Sequence, residues 1–496
     1  MITETTVRPP TTRGPSTLAY AFKLLAGPAA FAIVMALPIP ASYQGRVALA
    51  TFICAIVWWM TEPMPWAIAA MLPFVVFPAA GVMDIAATTR LYGQPIFFWI
   101  MGTALMGYAI EKHGLAQRIA LGFLSLPGVG GRTSRLMFAY MAITGVISMF
   151  VSDAATVAMT IPIGMSLVWH VGTLAGAQHG RANFAAFITL GTFYAAVAGG
   201  TATIMGVPHN AIALSVLQQT TGRQLGFFEW MAAGLPIFVA LLVAFYAILW
   251  WCVPPETREI PNAATFLRRE HERLGPITPN ERRVLMVFAA MVVLFTLPTV
   301  VALAAGERHP LAVLANRALP VWVVPPAVMF LLFTVRSAAD SNLALVTWAD
   351  TAKHAPWNSM FLVGGAVAMT DALTQFGFVE LMGGTIKNLG VGPVALPFLA
   401  ASFVGITTNF ISATALYCSV FIPAAAQIGF SPASMAILIA NTAVGVVFPW
   451  AGATSATAFA AGEIGLDKMI RIGVMATVAL IVVVAGIHLM IAPILH

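Results

Sequence analysis

Ser148-Met149-Phe150-Val151-Ser152-Asp153-Ala154-Ala155-Thr156 breaks a long apolar run with hydroxyls and one carboxylate. A second stretch, Thr408-Asn409-Phe410-Ile411-Ser412-Ala413-Thr414, interrupts a later run in the same manner. Pro162 follows the first break and Pro423 the second at nearly the same distance. In hydrocarbon, an unwound backbone persists only where it is buried in protein or lines a cavity. Two such breaks in corresponding places of two halves point to the binding site of a secondary transporter.

The composition around the breaks sets the class. Of the 496 residues 60% are hydrophobic and 8% charged, and the mean hydropathy is +0.90. Soluble domains carry roughly 25% charged residues. The expectation is an all-α polytopic membrane protein, with about 11 transmembrane helices and two re-entrant hairpins in an inverted repeat. The net charge of +6 comes mainly from loops, so it reports orientation and not nucleic-acid binding. Cys54, Cys252 and Cys418 show no metal-like spacing and imply no disulfide framework. Nothing in the aromatic content suggests an organic cofactor.

Apolar runs of spanning length follow one another along the chain. Residues 1–17 read as a cytosolic tail and 18–43 as an extra first span. Residues 44–253 form the first repeat, with spans near 44–61, 64–81, 95–112 and 230–253, a broken helix over 183–218, and the hairpin at about 134–170. The linker 254–283 carries Arg258, Arg268, Arg269, Arg273, Arg282 and Arg283. The second repeat covers 284–496, with its hairpin at about 392–428. Basic loops stay in the cytoplasm, so the tail, with Arg8 and Arg13, shares a side with the linker. That requires an even number of crossings between them, which the hairpin satisfies and two full spans in 134–170 do not. Pro95 to Gly102 followed by Gly114 resembles Pro356 to Gly365 followed by Gly377, with the glycines equally spaced in each half. Gly206-Val207-Pro208-His209-Asn210 and Ala451-Gly452-Ala453-Thr454-Ser455 occupy matching places. Half-helix N-termini at both breaks direct positive dipole ends inward, toward an anionic group.

Trp58-Trp59-Met60-Thr61-Glu62-Pro63-Met64-Pro65, then Pro73 and Pro78-Ala79-Ala80-Gly81, and Met106-Gly107-Tyr108-Ala109-Ile110-Glu111-Lys112-His113-Gly114-Leu115 join the paired breaks as motifs. From about Ala50 to His496 the chain resembles the divalent anion:sodium symporter family. The resemblance implies cation-coupled, most simply Na+-coupled, symport of an anionic solute of the dicarboxylate or sulfate class by alternating access. It implies a homodimer in the lipid bilayer of the cytoplasmic membrane, with a cytosolic N-terminus and no enzymatic role. Carried over residue by residue, Na+ is held by Ser148, Ser152, Asp153 and the facing Gly206, and a second cation by Thr408, Ser412 and Ala451. The substrate side takes Asp153, Val207, His209 and Asn210 from the first half, and Ala413, Thr414, Gly452 and Thr454 from the second.

The chain departs from the family where it matters electrostatically. The family has Ser-Asn-Thr at each tip, and here Asp153-Ala154 and Ala413 replace its amides and one hydroxyl. Gly452-Ala453-Thr454-Ser455 stands where the family has Thr-Pro-Pro-Asn. Na+ is a hard cation and takes oxygen ligands, and a full carboxylate charge in a low-dielectric site tightens its binding. A dianion is repelled by Asp153 until a cation neutralises it, which by itself couples the two.

Each residue also has a plainer reading. Asp153 is a cation ligand or proton carrier, or else the cap of a helix beginning at Ala154. His209 donates to an anion or pairs with Asp153, or is satisfied by backbone. Glu62 reads as a membrane-edge cap, Asp371 as an interfacial or interhelical hydrogen-bonding group, and Glu111, Lys112 and Arg118 as the solvated face of an interfacial helix. The alternative function is a proton-coupled anion transporter or an anion exchanger using Asp153 and His209, with a substrate outside the dicarboxylates. An intramembrane enzyme is disfavoured, because no HExxH, Gly-x-Ser-x-Gly or nucleophile–base arrangement lies near a break.

Overall fold

Every backbone polar group of a chain in lipid must find its partner within the protein, and helices do this within a single segment. The computed structural model describes residues 17–130, 132–175, 182–306, 308–407, 411–448, 453–461 and 464–495. Among them the chain forms 24 α-helices and two isolated bridges, Arg132 to Glu259 and Arg336 to Ala344. Five helices are long and apolar enough to cross a membrane: Tyr43–Thr61, Ala182–Ala202, Phe227–Cys252, Pro279–Ala305 and Leu466–Ile491. The protein is an all-α membrane protein, as its composition dictates.

Helices α1 (Thr17–Ala36) and α2 (Tyr43–Thr61) pack together, with Trp58 Nε1 donating to the Leu24 carbonyl at 2.9 Å. The expected span 64–81 is split into α3 (Trp66–Ala70) and α4 (Leu72–Ala80). Pro73 stands in the first turn of α4 and lacks the N–H that would continue the ladder. Glu62 ends α2 in the left-handed region, its N–H donating to Trp58, which is the cap expected of it. Then follow α5 (Ile85–Tyr92), α6 (Pro95–Lys112), α7 (Leu115–Leu124), α8 (Thr133–Ser148), α9 (Asp153–Ala175), α10 (Ala182–Ala202), α11 (Pro208–Thr221) and α12 (Phe227–Cys252). The polar linker contains α13 (Ala263–Arg273). The second half runs α14 (Pro279–Ala305), α15 (Pro310–Ala318), α16 (Val324–Thr334), α17 (Trp348–His354), α18 (Trp357–Gln375), α19 (Phe378–Asn388), α20 (Ala395–Thr407), α21 (Ile411–Gln427), α22 (Pro432–Thr442), α23 (Ala453–Ala460) and α24 (Leu466–Ile491).

The packing has one plan used twice. Helix α10 is buried at every residue from Phe184 to Ala202, and α8, α9 and α12 surround it. In the second half α20, α21 and α24 surround α22. The halves then cross over: α11 packs on α21 and α22, α23 on α9 and α10, α6 on α16, and α18 on α3.

Contacts at the helix ends sort the elements into two faces. Helices α8 and α9 fold back on each other, with the Tyr140 hydroxyl donating to the Thr160 carbonyl at 2.9 Å. Both outer ends of this pair touch the linker. The Thr133 N–H donates to the Arg258 carbonyl at 3.0 Å, and His170 stacks on Phe266 at a centroid distance of 4.3 Å. The amides of Asn183 and Phe184 donate to Glu256, and Lys468 at the start of α24 reaches Asn183. At the opposite face Arg223 and Ser431 both donate to the Leu495 carbonyl at 2.6 Å. The α20–α21 pair therefore ends, at Gln427, close to the face away from the linker.

Lys112 and Arg118 correct the expectation of a solvated interfacial face. Lys112 pairs with Asp350 at 2.7 Å. Arg118 pairs with Glu281 at 2.8 Å and also donates to the carbonyls of Leu274, Gly275 and Pro276. Glu281 in turn closes a capping box with Thr278 at the start of α14. Long basic side chains at a membrane edge reach whatever acceptors lie within their stem length, and here those acceptors belong to elements remote in sequence. The side chains of Arg118 and Glu281 are only 14% and 6% exposed. Arg118→Ala is expected to lower stability by about 2 kcal/mol, with Arg118→Lys recovering only part because the guanidinium fork is lost. Unfolding in detergent micelles measures both.

Candidate functional site

Four residues, 149–152, join α8 to α9, and five, 203–207, join α10 to α11; these two breaks meet. The Thr203 hydroxyl donates to the Met149 carbonyl and accepts from the Met205 N–H at 3.1 Å. Asn210 Nδ2 donates to the carbonyls of Gly200 at 2.9 Å and Thr203 at 2.8 Å. These contacts satisfy backbone groups that the interruption of α10 sets free.

Asp153 lies at the centre of this junction. Ser148 Oγ donates to its Oδ1 at 2.7 Å, and the residue is 5% exposed. Gly200 makes the approach possible, because a Cβ there would stand 2.5 Å from Asp153 Oδ1. Gly206 packs in turn on Gly200, where its own Cβ would meet the Gly200 carbonyl oxygen at 2.5 Å. The structure thus gathers Ser148, Asp153 and Gly206 within one cluster, and Ser152 and Gly206 line one cavity. Helix α9 begins at Asp153 itself, with the Ser152 carbonyl accepting its first bond, from Thr156. The carboxylate is turned to Ser148, so it does not cap a helix starting at Ala154. Among the described residues no lysine, arginine or histidine forms an ion pair with it.

Two first-half expectations are corrected. His209 does not pair with Asp153 among the described residues, and its Nδ1 is buried without a partner. The Val207 side chain occupies the space over Gly200 beside the carboxylate. Asn210 is fully buried with both amide hydrogens committed to carbonyls, so it braces the break and does not offer donors to a solute. Its Oδ1 has no partner among the described residues. Thr203 went unassigned in the sequence; the signal was its place in a Gly-Thr-rich interruption of an apolar run.

In the second half Thr408, Ala451 and Gly452 lie outside the described residues, as do the side chains of Ser412 and Ala413. Thr414 on α21 is fully buried, with its hydroxyl unpartnered among the described residues. Thr454 is half-buried on α23, which packs against α9. Asn441, near the end of α22, is buried with neither amide atom partnered among the described residues. Sequence reasoning missed it, although an amide in the apolar run Met435–Ala440 was the available signal.

A cavity of about 240 Å³ lies between the first tip, the α10–α11 break and α6. Phe150, Ser152, Met205 and Val207 line one wall, and Trp99 and Thr103 the other. At its mouth Tyr108 donates to Asp350 at 3.0 Å and stacks on His354 at 4.1 Å. Burial would raise the Asp350 carboxyl, but the bonds from Lys112, Thr347 and Tyr108 outweigh it and hold it below the usual carboxylate range. Glu111 is shared with a second cavity of about 310 Å³ that reaches Glu270 of the linker helix.

Comparison with known proteins adds to this geometry. Residues 18–495 match the family model described as the sodium:sulfate symporter transmembrane region. A sodium-dependent dicarboxylate transporter, SdcS, of Staphylococcus saprophyticus is 26% identical over 95% of this chain and 91% of its own length. Its namesake in Staphylococcus aureus is 25% identical over 91% and 87%. Among solved structures, the YdaH transporter of Alcanivorax borkumensis superposes with a TM-score of 0.51 at 14% identity, covering 82% of this chain and 86% of that one. That likeness concerns the fold alone.

Asn210→Ala leaves the Gly200 and Thr203 carbonyls buried and unpaired. The expected cost is about 2 kcal/mol or more, read as a lowered unfolding temperature in detergent.

Proposed function

The chain belongs to the sodium:sulfate symporter family, and from that membership we propose that it carries an anionic solute across the cytoplasmic membrane together with Na+, by alternating access. It is a transporter and not an enzyme. The observation that carries the coupling is Asp153, a carboxylate buried at a helix break with a hydroxyl beside it and no lysine, arginine or histidine paired to it among the described residues. A buried charge is costly unless it is paired, and Na+ supplies the missing charge while accepting oxygen ligands. Asp153 and Ser148 form the core of that site, with Ser152 and the Gly206 carbonyl as its further oxygens. Thr408, Ser412 and Ala451 would form the second site by the repeat.

The solute then binds on the chamber side of the tip, where Ser152 is exposed and α11 begins, with Thr414, Ala413, Gly452 and Thr454 from the other half. Val207 forms part of its wall. Binding of Na+ first removes the repulsion between Asp153 and the anion. The relatives' names make dicarboxylates the default cargo. A second reading, coupling to protons, rests on the same carboxylate, which can take a proton in place of Na+, with His209 in the first turn of α11 as a further titratable group.

The topology we propose has eleven crossings, with α8–α9 and α20–α21 as re-entrant hairpins opening to opposite faces and repeats over 44–253 and 284–496. The linker contacts at both ends of the α8–α9 pair support this, as does the twofold packing plan. The linker and the N-terminal tail are then cytosolic. The homodimer rests on family likeness.

Uptake of an anion panel into proteoliposomes, driven separately by Na+ and by proton gradients, tests the coupling. Na+-dependent uptake is expected, and uptake driven by protons alone would replace this reading with the second. Asp153→Asn removes the full charge, so Na+ affinity is expected to fall at least roughly tenfold, about 1.4 kcal/mol, in calorimetric titration. In a cysteine-free background, an impermeant thiol reagent applied to whole cells is expected to label Gln224→Cys and leave Arg273→Cys unmodified.

A further inference from the structure

We propose that His354 is a solute-binding residue, receiving the second carboxylate of a dicarboxylate whose first is held at the Ser152 tip. This rests on the Na+-coupled anion reading of the same chamber and names the group that selects its cargo.

The lining of the chamber decides which side chain can do this. Its described residues include no lysine and no arginine, and His354 is the one lining side chain able to carry positive charge. His354 ends α17, with Lys353 before it, and a cation is favoured at a helix C-terminus. Neither ring nitrogen has a hydrogen-bond partner among the described residues. In either tautomer an imidazole keeps one N–H to donate.

The ring is also held in place beside the tip. It stacks on Tyr108 at a centroid distance of 4.1 Å and 20° between planes, and the Tyr108 hydroxyl donates to Asp350 at 3.0 Å. Asp350 is fixed in turn by Lys112 at 2.7 Å and by the capping box with Thr347 at the start of α17. Gly107, the neighbour of Tyr108 in the chain, packs on the tip itself, where a Cβ would stand 3.6 Å from the Val151 Cα. A donor oriented in advance loses little freedom when a solute arrives.

The rest of the wall at the tip is apolar, formed by Phe150, Val151, Met205 and Val207. Thr103 spends its hydroxyl on the carbonyls of Trp99 and Ile100. Ser152 and His354 are therefore the side chains left to meet anionic groups, and they belong to different elements. Two carboxylates on a short carbon chain can engage both at once, whereas sulfate carries its charge on a single centre. Glu111 opposes this: it lines the same chamber, and its charge and that of His354 act on each other.

The test is calorimetric titration of the purified full-length protein with succinate in NaCl. His354→Phe keeps a ring to stack on Tyr108 and removes the N–H donor and the charge. It is expected to weaken succinate binding at least roughly fivefold at an unchanged unfolding temperature, and wild-type affinity in that variant overturns the inference. Should the Phe variant not fold, Glu111→Gln decides instead. Removing the competing carboxylate is expected to tighten succinate binding at least roughly twofold, and an unchanged or weaker affinity overturns the inference. Wild-type protein that binds sulfate and not succinate overturns it as well and leaves the symport reading standing. Binding of neither also overturns it, and the gradient-driven uptake of the anion panel then decides the symport reading separately.

Discussion

The carbonyls of Gly200 and Thr203 are set free where α10 ends, and one buried amide, Asn210, receives both. Everything at the centre of the molecule depends on this bracing. Unsatisfied backbone at such depth costs several kcal/mol per group, so a break is possible only where side chains replace the helical partners. Thr203 extends the bracing to the tip through Met149. The glycines allow it to be compact: Gly199 packs on Gly145, Gly200 on Asp153, and Gly206 on Gly200, contacts that any Cβ would block.

The scarce charges are distributed with the same economy. At the linker face, Lys112 with Asp350 and Arg118 with Glu281 form complete pairs that fasten α6 and α7 to elements of the second half. At the centre, Asp153 has no ion pair among the described residues. The contrast separates charges that hold the structure from the one on which the proposed Na+ coupling rests.

Much of the architecture was legible along the chain. The apolar content foretold an all-α membrane protein, and both first-half breaks are helix interruptions, at 149–152 and within the expected Gly199–Asn210 stretch at 203–207. The helix pair α20–α21 lies inside its expected segment, and α8–α9 covers the other and runs five residues past its expected end, to Ala175. The split at Met71 was not foreseen, because 64–81 was read as one span. Of the candidate site, Ser148, Asp153 and Gly206 were found together. Asn210 was misjudged: an amide beside a break looks the same in sequence whether it faces a solute or turns back to carbonyls.

The sequence by itself determined the class, the helical segments and the chemistry available at the breaks, since hydrophobicity and helix interruption are properties of neighbouring residues. Only the tertiary structure decided which groups meet. Arg118 and Glu281 are 163 residues apart and Lys112 and Asp350 238, distances over which no local pattern carries information. The packing also set the Asp153 carboxylate against Gly200 with a hydrogen bond from Ser148, and it brought no ion pair from His209 among the described residues.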